Sequence, residues 1–336
     1  TLQGPTVELV ISDYEKFDLE YMKKFEKKYD IDLWNLAYAE RTFYKYNQYY
    51  NFSSEQILGL LYQECIFFEK VLDEVKPDFM LIKTTDWHQT HLFYELCKAR
   101  GITVLMLVPT RFGNRLVISE NINKLDDFEK HNSSNAKKTS SDLKKFLQKH
   151  DGFEAAKGYI SIQNQKKDNK MLDALKFILL AQDNDYQKRY SSYKWNKLKI
   201  LYNEGGNILR KKIRENFINN NFIKNVDYSK PFVYFPLHIE PERSLSIDAP
   251  FFTNQIEVIT NIVKSLPIGY RLFVKEHPAM KLLAWRETSF YKELMKLPNV
   301  FLLHPFIDPQ QILENCSLVI TITGTAGFEA AFYNKP

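Results

Sequence analysis

The feature that most constrains the fold is a regular alternation of short apolar strands and helical patterns between residues 228 and 336. The segments "KPFVYFPLH", "YRLFVK", "VFLLH" and "LVITIT" are predicted strands, and amphipathic helical patterns separate them. Strands that are connected through helices pair in parallel, so the sequence predicts a doubly wound α/β unit. The closing segment "AAFYNKP" normally leads into another strand, and we therefore expect the sheet to continue beyond Pro336.

The first part of the chain shows the same alternation. "TVELVI" (Thr6–Ile11) is a predicted strand, and an amphipathic helix follows it. Ser53 and Gln56 form a capping-box pattern that opens a long helix, which Pro77 closes. A buried strand is predicted at "DFMLIKT". It is followed by a helix, "DWHQTHLFYELCKAR", that ends at Gly101, and then by another strand, "ITVLMLV". We therefore predict a Rossmann-like domain over residues 1–125 and a second one over 228–336.

Residues 126–227 are predicted to form a linker and a helical connector or insertion. A Ser-, Asn- and Lys-rich loop leads into helical patterns without a convincing strand. The stretch from Lys188 to Arg214 carries nine Lys and Arg residues, with Glu204 as its acidic residue. Such a stretch favours peripheral contact with anionic lipid headgroups or a phosphorylated acceptor, or it is a solvated helical face.

Composition excludes several classes of protein. The chain has 25 Phe, 20 Tyr and only 11 Gly, which argues against disorder and against a Gly-rich dinucleotide-binding fold. Its longest apolar runs are too short to span a bilayer. Cys65, Cys97 and Cys316 are widely spaced, which indicates buried thiols in a reducing cytoplasm and no disulfide or zinc site. We expect the protein in the cytoplasm or at the inner face of the membrane.

Polar residues follow two of the predicted strands in the second domain. One turn offers Lys275, Glu276 and His277-Pro278; the other offers Thr321, Thr323, Gly324 and Thr325 before a helix that carries Glu329. A cation, an imidazole and a helix N-terminus suit a phosphorylated ligand. We predict one nucleotide-phosphate site, in which Pro278 fixes the backbone and Glu276 pairs with Lys275, orients His277 or lies on the surface. His238 and Gln311 are further candidates for this site, because His238 also follows a strand.

Candidates for an acceptor site are fewer and lie in the first domain. Asp86 follows a predicted strand, where it either caps the next helix or supplies a catalytic carboxylate. Arg111, Arg115 and Glu120 follow the next strand, and an arginine binds the carboxylate of a sugar acid in a bidentate fork. His88 and His91 share a helical face, but no carboxylate or Cys spacing completes a metal site, so no metal is predicted.

The segment from Phe232 to Pro336 resembles the capsule polysaccharide biosynthesis glycosyltransferases, which include bacterial β-Kdo transferases and are related in design to bacterial sialyltransferases. The resemblance depends on "KEHP" (Lys275–Pro278), "HPFIDPQQIL" (His304–Leu313) and "SLVITITGTAGFEAAFYNKP" (Ser317–Pro336). It implies the GT-B architecture of two Rossmann-like domains. It also implies that His277, Thr323 and Thr325 contact the phosphate of a CMP-activated sugar and that Glu329 contacts the ribose.

The residues predict a metal-independent glycosyltransferase that uses a nucleotide donor and a glycan or lipid-linked acceptor, and the resemblance implies that the sugar is Kdo or a related sugar acid. No cofactor is expected besides the nucleotide sugar, and no nucleic acid is an expected partner. His277, Asp86 and Glu120 are the predicted catalytic residues. Three alternatives stay open: a CDP-glycerol-type glycerophosphotransferase, a sugar-nucleotide epimerase, and a non-catalytic binding protein of glycan assembly.

Overall fold

The computed structural model describes residues 16–43, 50–110, 115–121, 196–240, 242–283 and 285–336, together with positions 142, 145, 158 and 161. Within these residues the chain forms two α/β units, each with its own sheet, and the predicted fold class is confirmed. The predicted strand Thr6–Ile11, Arg111 and nearly all of residues 126–195 lie outside the described residues.

The first unit places helices around a small sheet. Its elements in chain order are α1 (Leu19–Tyr29), α2 (Leu33–Ala39), α3 (Ser54–Val75), β1 (Phe79–Lys83), α4 (His88–Ala99), β2 (Thr103–Pro109) and β3 (Leu116–Ser119).

The ends of these helices follow from local chemistry. The Asp18 carboxylate accepts the Glu20 and Tyr21 N–H groups at the start of α1. Ser53 and Gln56 form the predicted capping box at the start of α3. Gly101 follows α4 with a φ of 72°, a left-handed conformation that favours glycine. The predicted helices around these caps are therefore confirmed.

The first sheet is mixed. β1 and β2 pair in parallel as predicted, but β3 runs antiparallel to β2, with Met106 opposite Ser119 and Pro109 opposite Leu116. Only six residues separate β2 from β3, which is too few for the crossover that a parallel neighbour requires, so the two strands pair antiparallel. The prediction of a buried β1 is wrong for one face, because Phe79 and Leu81 are exposed.

The second unit is a parallel four-stranded sheet with helices on both faces. Its elements are α5 (Lys197–Asn221, which belongs to this unit from Glu204 onward), β4 (Phe232–Pro236), α6 (Arg243–Ser246), a 3-10 helix (Pro250–Phe252), α7 (Gln255–Ser265), β5 (Arg271–Lys275), a 3-10 helix (Pro278–Leu283), α8 (Thr288–Met295), β6 (Val300–Leu303), α9 (Pro309–Asn315), β7 (Leu318–Val319) and α10 (Thr325–Phe332).

Apolar side chains on both faces of this sheet are buried. Val233 and Phe235 of β4 pack in one core with residues of α5, α7 and α8, whereas Phe232 and Tyr234 pack in another with residues of α9 and α10. Continuous apolar strands of this kind are typical of parallel sheets covered on both sides.

The strand order of the second sheet is β6-β5-β4-β7. The chain moves outward from β4 through β5 to β6 and then returns to place β7 on the other side of β4. This reversal is a topological switch point, and ligands of open α/β sheets bind outside the carboxyl ends of the strands at such a point.

Cys65, Cys97 and Cys316 are free and buried, as predicted. Among the described residues, no helix combines the length and the apolar character that crossing a bilayer requires.

Candidate functional site

A cavity of about 400 Å³ lies at the carboxyl edge of the second sheet, at the switch point beside β4. Most of the predicted donor-side residues line it. These residues are His238, Lys275, Glu276, His277, Pro278, Thr323, Gly324, Thr325 and Glu329. The segments after β4, β5 and β7 thus bring to one place residues that are up to 91 positions apart, from His238 to Glu329.

His277 is held as a neutral hydrogen-bond donor. Its Nδ1 accepts the Ala279 N–H at 3.1 Å, so the ring proton is on Nε2. Burial, and then the nearby charges of Lys275, His238 and Arg286, lower the pKa of His277 to about 4. The imidazole is therefore uncharged at neutral pH and donates a hydrogen bond without carrying a positive charge.

Positive potential in the cavity comes from other groups. Lys275 ends β5 and is only 4% exposed, and it lines the cavity. Helix α10 begins at the cavity with Gly324 as its N-cap residue, so no N-cap side chain takes up the N–H groups of the first turn. A lysine and the amino end of a helix both favour an anion.

His238 holds the turn before α10 in place. Its Nε2 accepts the Thr323 N–H at 3.0 Å, and Thr321 Oγ1 lies 3.4 Å from the same nitrogen. Thr321 Oγ1 also accepts the Gly324 N–H at 3.0 Å. The turn that carries the predicted phosphate contacts is therefore fixed to the segment after β4.

Gly324 is required at this turn because of space. A Cβ atom at this position would lie 2.6 Å from Thr321 Oγ1 and 3.3 Å from His238 Nε2. Its φ of −73° is accessible to any residue, so the constraint is contact and not backbone conformation.

Glu276 does not lie on the surface. It is 1% exposed; its Oε1 accepts the His277 N–H at 2.8 Å, and its Oε2 accepts from Arg286 Nε at 2.7 Å and from the Tyr291 hydroxyl at 2.9 Å. Of the three predicted roles, orientation of His277 fits this geometry and a surface position is wrong.

Arg286 connects the two histidine-bearing segments. Besides Glu276 it contacts Glu240 Oε1 through Nη1 at 2.9 Å and donates to the His238 carbonyl through Nη2. Gln255 accepts the His238 N–H at 2.8 Å and donates to Glu240 at 2.5 Å. We call Glu240, Gln255, Glu276, Arg286 and Tyr291 the buried frame, because they fix the backbone on which both histidines stand.

Three candidates lie outside the cavity lining: Thr321, which supports the turn through its bond to Gly324, and Gln311 and His304. Gln311 is exposed on α9, and Pro309 lines the cavity from the first turn of that helix. His304 follows β6, the edge strand at the far end of the sheet, and its Nε2 lies 3.0 Å from Asn219 Oδ1 of α5. The His-Pro dipeptides at His277 and His304 therefore have different surroundings.

A larger groove of about 730 Å³ lies between α7 and the β4–β7 side of the same sheet. Its lining is mostly apolar, with Val258, Ile262, Leu318 and Ile320, and includes none of the predicted site residues. We therefore place the candidate site in the smaller cavity, where the polar groups converge.

The described acceptor-side candidates are next to strands of the first sheet and are only partly brought together. Asp86 follows β1, and Arg115 precedes β3 next to the end of β2, so both lie at the same edge of the first sheet. Glu120 follows Ser119, which pairs with Met106 in the middle of β2, so antiparallel pairing carries Glu120 away from that edge. Arg111 lies outside the described residues.

Asp86 does not cap α4, because the N-cap residue is Trp87. The Trp87 N–H donates to Thr90 Oγ1, and the Asp86 carbonyl accepts from Arg41 at 3.1 Å. The Asp86 side chain is exposed. Of the two predicted roles, capping is therefore wrong.

His88 lies in a buried ionic cluster that the sequence did not predict. Its Nδ1 is 2.7 Å from Glu40 Oε2, and its Nε2 is 3.0 Å from both carboxylate oxygens of Glu64. Burial opposes the charge on the ring, but the two carboxylates outweigh this effect and raise the pKa of His88 to about 10.

His91 is not part of this cluster and lies 3.1 Å from Thr85 Oγ1. Within the described part of the chain, no three His, Cys, Asp or Glu side chains are arranged to hold a metal ion.

Sequence reasoning missed the buried frame. Arg286 is 10 positions from Glu276 and 48 from the His238 carbonyl that it contacts, so no local pattern marks it. The one available signal was a cation close to a cluster of apolar and aromatic residues, in "LLAWRETSFY".

Comparisons with solved structures give remote matches. The Methanocaldococcus jannaschii UDP-GlcNAc 2-epimerase in complex with UDP-GlcNAc and UDP is 17% identical, with 87% of this chain and 66% of that one covered and a TM-score of 0.26. S. aureus MnaA with UDP is 15% identical, with 82% and 60% covered and a TM-score of 0.24. The chain thus spans less than two thirds of the length of both, and at these TM-scores neither match supports a functional assignment. No curated protein sequence gives a significant match.

A protein-family model gives a firmer result. The model described as capsule polysaccharide biosynthesis protein matches residues 128–336. This range includes the whole cavity and the frame behind it, and it spans more than half of the 336 residues. The chain therefore belongs to the capsule polysaccharide biosynthesis protein family.

Proposed function

We propose that the protein is a glycosyltransferase that takes a sugar from a nucleotide donor and passes it to a capsule glycan or its lipid-linked precursor. The observation that supports this most is the convergence of His277, Lys275 and the first turn of α10 on one cavity. Membership of the capsule polysaccharide biosynthesis family supports the role in surface glycan assembly.

The cavity has the groups that a leaving nucleotide phosphate requires. As the bond between the anomeric carbon and the phosphate oxygen breaks, negative charge grows on that oxygen. The His277 Nε2–H, the Lys275 ammonium group and the α10 amides are fixed in advance, so they stabilise this charge without reorganising. Thr323 and Thr325 would contribute further contacts, and Glu329, which lines the same cavity, would accept from the ribose hydroxyls.

The proposed donor depends on the resemblance to the capsule polysaccharide glycosyltransferases, and the proposed acceptor site depends on the residues that follow the strands of the first sheet. A CMP-linked sugar acid such as Kdo is the proposed donor, and no metal ion is required, because the lysine and the helix supply the positive charge. Asp86, Arg115, Arg111 and Glu120 are the proposed acceptor-side residues. Asp86 and Arg115 share an edge of the first sheet, whereas Glu120 is displaced from it, so Asp86 is the better candidate for a catalytic base.

Thermal denaturation with CMP, CDP, UDP and GDP tests this proposal. One nucleotide is expected to raise the melting temperature clearly, because a ligand that binds only the folded state stabilises it by mass action. His277→Ala should remove most of that shift, whereas His304→Ala should keep it. The two variants are matched, since each changes a histidine that precedes proline after a strand, inside and outside the cavity.

The same shift should persist in the presence of EDTA. If none of the four nucleotides stabilises the protein, the phosphate site is rejected. Turnover of CDP-glycerol would identify the protein as a glycerophosphotransferase and not as a glycosyltransferase. Conversion of a UDP-sugar in the absence of an acceptor would identify it as an epimerase.

A further inference from the structure

Helix α5 presents a row of large apolar side chains to solvent. Leu198, Tyr202, Leu209 and Ile213 are 80%, 83%, 62% and 55% exposed. They are spaced by four, seven and four residues, which places them on one face of an α-helix over about 22 Å. We call these four residues the apolar stripe.

Cations flank the apolar stripe, and acids do not. Lys199, Arg210 and Lys212 are exposed and lie on either side of it. Glu204 follows Tyr202 by two residues and so points to the opposite side of the helix. Glu215 is bound to Lys281 at 2.6 Å and does not neutralise this surface.

The other end of α5 anchors the helix. Ile218 is 1% exposed and packs in the core of the second unit, where Phe217 joins it. The four residues of the apolar stripe are in none of the hydrophobic cores of the described residues, in the first unit or in the second, so core packing does not explain their apolar character.

We propose that the apolar stripe of α5 docks on an anionic phospholipid surface. Leucine, isoleucine and tyrosine side chains enter the boundary between headgroups and acyl chains, while the flanking lysines and arginine contact lipid phosphates. A second copy of the chain is a poorer occupant, because symmetric pairing of two stripes would bring their like charges together. The proposal is independent of the nucleotide chemistry of the cavity.

Vesicle sedimentation tests the proposal with the full chain. Vesicles of an equimolar mixture of phosphatidylglycerol and phosphatidylcholine should bind the protein, and vesicles of phosphatidylcholine alone should bind it far less. The triple variant Lys199→Gln, Arg210→Gln, Lys212→Gln should lower the partition coefficient about 100-fold, since each cation near an anionic surface contributes a factor of about five. The matched control Lys70→Gln, Lys230→Gln, Lys264→Gln removes three exposed cations elsewhere and should bind normally.

The apolar contribution is tested separately. Leu209→Ser with Ile213→Ser should weaken binding, whereas Phe251→Ser with Ile268→Ser, which also removes two exposed apolar side chains, should not. Gly205 lies on the face of the stripe between Tyr202 and Leu209, and a Cβ there would meet no atom within 4 Å. Gly205→Leu should therefore strengthen vesicle binding beyond Gly205→Ala, which controls for helix propensity.

Insertion is distinguished from adsorption by an environment-sensitive fluorophore on Leu209→Cys, since the three native cysteines are buried. Its emission should shift to the blue with phosphatidylglycerol vesicles. Equal binding by the stripe variants, or no binding to anionic vesicles, overturns the proposal. So does a dimer in sedimentation equilibrium that the Leu209→Ser, Ile213→Ser variant dissociates. The nucleotide-induced thermal shift should be unchanged in all stripe variants, so the outcome does not depend on the cavity.

Discussion

The residues of the α10 turn show how closely the site is packed. The Gly324 N–H donates to Thr321 Oγ1, and the His238 ring stands behind the same turn. A methyl group at position 324 has no room unless the Thr321 side chain or the turn moves, and either change breaks the hydrogen bonds that fix the turn. The phosphate contacts proposed for Thr323 and Thr325 therefore depend on a residue that has no side chain.

Gly324→Ala is expected to lower the free energy of unfolding by about 1–3 kcal/mol, the usual cost of overpacking, and to weaken nucleotide binding. Denaturant unfolding and the nucleotide-induced thermal shift measure the two effects. Gly205→Ala is the matched control, because its Cβ enters open space in a helix and should stabilise the protein by about 0.5–1 kcal/mol. Equal effects of the two substitutions would contradict the packing argument.

At the scale of elements, the buried frame joins the ends of β4 and β5 to the segment before α8. Arg286 contacts Glu276 after β5 and both Glu240 and the His238 carbonyl after β4. Burial of these charges is tolerated because each has a partner of opposite sign. Gln255, Arg286 and Tyr291 do not line the cavity and act on a ligand only through the histidines, so they are positioning residues, whereas Glu276 also lines the cavity.

Arg286→Met is expected to cost about 3–5 kcal/mol of stability, because it removes the cation that contacts the buried Glu276 carboxylate and the half-buried Glu240 carboxylate. The double variant Arg286→Met, Glu276→Gln should recover part of this loss, which a double-mutant cycle from denaturant unfolding quantifies.

NMR titration of His277 shows whether Arg286 also affects the ligand site, apart from its effect on stability. The pKa of His277 should rise from about 4 toward that of an ordinary histidine when the frame is broken. An unchanged His277 titration would limit Arg286 to a structural role.

Local pattern predicted the elements well, and contacts between elements much less. The helices of the second unit and the cavity at its switch point follow from periodicity and from strands connected by helices. The antiparallel direction of β3, the partners of Arg286 and the cluster around His88 depend on residues that are far apart in sequence. Local pattern can mark a residue such as Arg286 as unusual, but it does not identify the distant partner, so the sequence alone is compatible with several roles for Glu276 and for Asp86.

At the scale of the whole molecule, two buried histidines make stability depend on pH in opposite directions. The folded pKa of His88 is raised to about 10, so its stabilising effect is complete below about pH 6.5 and is lost as pH rises toward 10. The folded pKa of His277 is lowered to about 4, so the folded state is penalised as pH falls from about 6.5 toward 4.

Stability is therefore expected to be greatest near pH 6.5 to 7 and to fall on both sides. Urea unfolding across this range measures the profile. Glu40→Gln should flatten the alkaline side, because it removes one of the two carboxylates that hold the charge on His88. His277→Ala should flatten the acid side, and a profile insensitive to both substitutions would contradict the assigned shifts.

The hydrogen bond from the Ala279 N–H to His277 Nδ1 has a consequence for kinetics. An imidazole with one nitrogen occupied by an amide and a proton already on the other cannot act as a proton shuttle. It can share its Nε2 hydrogen with a departing oxygen, but full transfer would leave an imidazolate. Any solvent isotope effect on turnover should therefore originate at the acceptor hydroxyl and its base, and replacing His277 should lower the rate without altering that effect.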